Sequence, residues 1–60
     1  MTANINEATA KIKQLGSTNT RIIQESDNRC KIEVKENGNW SEVVSGVTRK
    51  MAEDIVSSAT

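Results

Sequence analysis

Histidine is absent from this 60-residue chain, so a general base working near neutral pH would have to be a strongly shifted carboxylate or lysine. Glu33 and Glu42 come nearest to that role, because a tight hairpin at Asn37-Gly38 sets them directly opposite each other. Two opposed carboxylates raise one another's pKa or hold a cation between them. Lys31 and Lys35 flank Glu33 and turn the pair into a charge-balanced surface instead. Cys30 stands between Arg29 and Lys31, whose charges favour a thiolate, yet it keeps phase with Ile32 and Val34 as a small core residue does. The acidic residues lack the spacing of a calcium loop, and the three glycines are dispersed, so no loop is shaped to cradle a phosphate. These residues predict no catalytic centre, no metal site and no cofactor: a non-enzymatic protein.

One cluster runs against a local rule. Arg49 and Lys50 open a helical pattern in which Glu53 and Asp54 follow, a charge order opposed to the helix dipole. Two cations beside a helix N-terminus suit an anion or a phosphate. The plainer expectation is two solvated pairs at helical spacing, Arg49 with Glu53 and Lys50 with Asp54.

Those residues must be positioned by very little material. The apolar set is six Ile, five Val, five Ala, two Met and one each of Leu, Cys and Trp, with neither Phe nor Tyr. A chain this short holds one domain, here residues 1–60, and buries only about 60% of the surface it exposes when unfolded. Domains of this size commonly draw added support from disulfides, a metal or self-association. A single cysteine cannot form an internal bridge, and one Cys without His makes a structural zinc site untenable. Self-association, as a homodimer, or docking on a larger protein is the support left. Eight basic and eight acidic residues give zero formal charge, so bulk attraction to nucleic acid or anionic lipid is not implied. There is no run long and apolar enough to span a membrane, and the polar start differs from a signal peptide. A cytoplasmic setting is expected.

The elements follow from periodicity. Ile5, Ala8, Ile12 and Leu15 recur at steps of three and four, predicting a helix over 4–15, with Asn4 and Glu7 as a capping box and Gly16 as its stop. Residues 20–26 are rich in β-formers. Residues 30–36 alternate strictly, Cys30, Ile32 and Val34 against Lys31, Glu33 and Lys35, as a half-buried strand does. Asn37-Gly38 is the strongest short hairpin signal and leads into a third strand, 39–45. The stretch from Val47 to Ala59 predicts a second helix whose apolar face includes Met51 and Ile55, capped by Ser45 or Thr48. The expected fold is α+β: helix, three-stranded antiparallel meander, helix (α-β-β-β-α), with both helices on one face of the sheet.

Register then decides where the only aromatic residue points. A two-residue turn pairs Lys35 with Trp40, Glu33 with Glu42 and Ile32 with Val43. Continued regularly, it turns Trp40 and Val44 outward, and a tight turn at Asp27-Asn28 sends Ile23 inward and Ile22 outward. A three-residue loop with a bulge would instead put Trp40 and Val44 inside. The two-residue turn is the expectation, giving an open face with Ile22, Trp40, Val44 and Lys35 as a protein-contact surface, since an exposed Trp among aliphatics is a frequent hot spot.

The order helix, three strands, helix also resembles that of double-stranded-RNA-binding domains. Their second helix opens on a basic cluster that touches phosphates, and Arg49-Lys50-Met51-Ala52 looks like a thin version of it. The resemblance implies nucleic-acid contact through Arg49 and Lys50, with Lys35 or Arg21 nearby. The chain departs from the family at Glu53, where a further lysine is expected, and at Ser26-Asp27-Asn28-Arg29, which lacks the Gly-Pro-x-His loop.

Overall fold

The computed structural model describes residues 5–60, so the expected cap at Asn4 lies outside the described residues. Helix α1 spans Ile5–Leu15 and a single 3₁₀ turn spans Ser17–Asn19. Strands β1, β2 and β3 span Thr20–Ser26, Arg29–Glu36 and Asn39–Val47, and helix α2 spans Arg49–Ala59. The sheet order is β1-β2-β3 with both pairings antiparallel. This is the expected α-β-β-β-α meander.

Central strand β2 organises the core because its alternation is unbroken. Cys30, Ile32 and Val34 are completely buried, while Lys31 and Glu33 between them carry ion pairs on the opposite face. The same buried cluster takes Ala8 and Ile12 from α1 and Ala52, Ile55 and Ala59 from α2. Both helices therefore cover one face of β2. Alanines at three of those five positions let the helices lie close to the sheet, which suits a core without Phe or Tyr.

The helix ends are satisfied locally. At the end of α1, Gly16 N–H donates to the Ile12 carbonyl at 2.7 Å and Asn19 Nδ2 donates to the Leu15 carbonyl at 2.8 Å. These bonds occupy carbonyls that a helix C-terminus leaves open. For α2 the cap is Thr48, whose Oγ1 accepts from Met51 N–H at 3.1 Å. Val47, expected within this helix, is instead the last residue of β3 and is buried. Met51, expected on the apolar face, is 44% exposed at its margin.

Irregularities in the outer strands correct two expected placements. The turn itself is as expected: Asn37 and Gly38 have φ of 55° and 81°, and Glu36 pairs with Asn39. Regular pairing holds through Glu33 with Glu42, and then Val43 is bulged out so that Ile32 faces Val44 rather than Val43. The extra residue reverses the side on which the rest of β3 faces. Val44 is consequently a core residue, 2% exposed, and not part of the open face. A second irregularity places Cys30 opposite Val47, with Gly46 at φ 69° between. In β1, a shift between Gln24 and Ser26 sets Ile22 opposite Ile32 and Ile23 opposite Lys31. Ile22 thus packs half-buried against the core, and Ile23 is the outward residue, the reverse of the expected assignment.

Gly46 is tied to its conformation, since a positive φ is strained for residues bearing a Cβ and open space around it removes any steric alternative. Gly46→Val is expected to lower the folding free energy by about 1–3 kcal/mol and Gly46→Asn by less, because Asn enters that region more easily. Urea titration of the two variants checks the order; equal losses would show that bulk, and not backbone conformation, sets the cost.

Candidate interaction face

The face of the sheet away from the helices is open, and the Asn37-Gly38 turn sets what stands on it. Trp40 pairs with Lys35, and Glu42 pairs with Glu33, whose other neighbour is Arg21 of β1. Trp40 is 37% exposed. Arg21 reaches across from β1 and lays its guanidinium 4.0 Å from the centroid of the indole. Such a contact is worth about 0.5–1 kcal/mol at an exposed site.

Glu33 is the hub of the charges. Arg21 Nε and Nη2 donate to Glu33 Oε1 at 2.8 and 2.6 Å, and Lys31 Nζ lies 3.5 Å from Oε2. Lys31 also stands 3.6 Å from Glu25 and 4.0 Å from Glu42. The two carboxylates expected to oppose each other do so, but Lys31 neutralises them. The hydrogen bond from Arg21 holds the Glu33 carboxyl below its ordinary value; partial desolvation opposes this, and the charges of Arg21 and Lys31 assist. For Lys31 partial desolvation works to lower the pKa, and Glu33, Glu25 and Glu42 together outweigh it, so the net shift is upward. Lys35 is exposed and forms no ion pair within the described residues.

The remaining residues singled out by sequence go elsewhere. Arg49 is the first residue of α2, and its Nε donates to Gln24 Oε1 at 3.0 Å, which ties the helix start to the end of β1. The same oxygen accepts from the buried thiol of Cys30 at 3.2 Å. Lys50 is exposed beside Arg49. Neither Arg49–Glu53 nor Lys50–Asp54 forms: no ion pair of α2 is present among the described residues. Among the described residues no three His, Cys, Asp or Glu side chains are grouped to hold a metal ion. The open face therefore gathers Trp40 and Lys35, as expected, and adds Arg21 and Ile23, which sequence reasoning did not assign to it. The pairing Arg21 with Glu33 is the signal that would have found the first; only the β1 bulge reveals the second.

Comparison with protein families, with curated proteins and with solved structures finds no match to this chain. No helix among the described residues is long and apolar enough to cross a membrane.

The charge hub gives an acid limb to the stability curve. The folded-state pKa of Glu33 lies below the ordinary 4.5, so its contribution is complete above that value and fades as pH falls through the folded pKa. Lys31, raised above 10.5, contributes fully below that value and loses its contribution as pH rises through its folded pKa. Thermal melts from neutral pH down to acid are expected to fall below about pH 4.5, and Glu33→Gln to lower the neutral melting temperature and flatten the acid limb. An acid limb unchanged by that substitution would remove Glu33 from the account.

Proposed function

We propose that this chain is a non-enzymatic protein-interaction module, an adaptor or inhibitor that works as a homodimer and contacts a larger protein through the open face of its sheet. The observation that supports the reading is Trp40, partly exposed on an uncovered face beneath Arg21. Trp and Arg are the residue types that most often dominate the energy of protein interfaces. Lys35, directly across from Trp40 and without an ion pair among the described residues, supplies the electrostatic half of recognition. The partner that fits brings an apolar side chain onto the indole and a carboxylate to Lys35. Arg21, already neutralised by Glu33, adds shape more than net charge.

The second reading, nucleic-acid contact through Arg49 and Lys50, has less support. Arg49 is engaged with Gln24 and the chain carries no net charge. Gel retardation of duplex RNA or DNA at low salt would revive it, with the steep salt dependence that phosphate contacts impose.

Selection of displayed random peptides against the folded chain tests the leading reading. Enriched peptides are expected to place Asp or Glu beside a large apolar residue and to shift the Trp40 fluorescence on binding. Trp40→Ala, with its circular dichroism unchanged, is expected to weaken them at least about tenfold, the loss of one ~1.4 kcal/mol contact. Peptides that bind equally well without the indole would sink the sheet face as the contact surface.

A further inference from the structure

The helical layer carries its own apolar opening. Between α1 and α2 lies a groove of about 280 Å³ lined by Ile5, Thr9, Met51, Asp54, Ile55 and Ser58. Ile5 and Met51, 40% and 44% exposed, stand on it with their side chains only partly covered. Beside Met51 on α2 are Lys50 and Asp54, opposite charges four residues apart that do not pair with each other or with any other group among the described residues. This surface therefore has apolar area and two charges of opposite sign still to be matched.

We infer that this chain forms its homodimer through the helical layer, by packing α2 of one copy against α2 of a second about a two-fold axis. This rests on the homodimer half of the function proposed above and not on the sheet-face contact. In antiparallel helices facing residues have numbers with a constant sum. A crossing level with Ala52 sets each Lys50 against Asp54 of the other copy, twice by symmetry. On that crossing the two Met51 residues are offset by two positions, about 3 Å along the axis, a step that an unbranched, flexible side chain spans. The surface is thus complementary to itself in charge. A standard interface takes about 800 Å² from each partner, roughly a fifth of the 4043 Å² this chain exposes, which a broad face of a molecule 29 × 22 × 21 Å can supply. Dimerisation here leaves Trp40 and the sheet face free for another protein.

Sedimentation equilibrium of the full chain from micromolar to millimolar concentration tests the inference, with circular dichroism to confirm folding. The expected result is a monomer–dimer equilibrium. Met51→Glu raises its dissociation constant at least about thirtyfold, as removal of a central anchor does. Lys50→Glu also weakens it, and the double variant Lys50→Glu/Asp54→Lys restores it, since the swap recreates the match across the axis. Both charged positions are exposed, so this arm holds even if Met51→Glu disturbs the fold. Trp40→Ala leaves the dimer intact. A monomer throughout the range, a dimer indifferent to Met51→Glu, a double variant that fails to recover, or a dimer broken by Trp40→Ala would each overturn the inference. The last outcome would do so while leaving the sheet face standing as a contact surface.

Discussion

Strand β3 serves both faces of the sheet by changing register part-way along its length. Trp40 and Val44 are four residues apart, and an unbroken period of two puts them on the same side of the sheet. The bulge at Val43 separates them, so that the indole and Glu42 stand in the open while Val44 joins Ile32 in the core. Without it Val44 would stand on the open face and Val43 would take the place opposite Ile32. The second irregularity, at Gly46, then sets Val47 facing inward and leads directly to the Thr48 cap of α2.

The bulges also shape the edges. β1 and β3 are both edge strands, and an exposed regular edge is a template for unwanted pairing. Each carries at least one register shift, which twists its outward hydrogen-bonding groups away from a flat ladder. Association through a face is the contact such a sheet favours over association through an edge.

On the two sides of the sheet the same small size has opposite consequences. Toward the helices, Ala8, Ala52 and Ala59 allow close approach, and the thin core that results leaves Ile5 and Met51 at the rim. Toward the open side there is no material for a second layer, and charged groups cover the strands instead. Glu33 has cations at both of its oxygens and Lys31 is ringed by three carboxylates. Pairing of this kind, each link individually weak at a surface, orders long side chains into a flat layer on which Trp40 is presented. The helix pair and the tryptophan are therefore two unlike surfaces made by one shortage of apolar residues.

How much of this was legible in the residues depends on the range over which each signal acts. The period of three and four in α1, the strict alternation of β2 and the positive-φ demand of Asn37-Gly38 are local, and they determined the element order, the centre of the core and the outward aim of Trp40. Ile22-Ile23 and Val43-Val44 are adjacent β-branched pairs with a polar residue at each end, Arg21 and Gln24 for one and Glu42 and Ser45 for the other, so alternation does not say which member faces in. Their sides were decided by tertiary packing, because a bulge appears where burying the better-fitting side chain outweighs one lost pair of ladder bonds. The engagement of Arg49 with Gln24 and the stacking of Arg21 on Trp40 likewise join residues distant in the chain. Sequence alone set the local conformations; only the folded arrangement could set which side of the sheet each doubtful residue took, since that choice depends on the shape of the space the two helices leave to be filled.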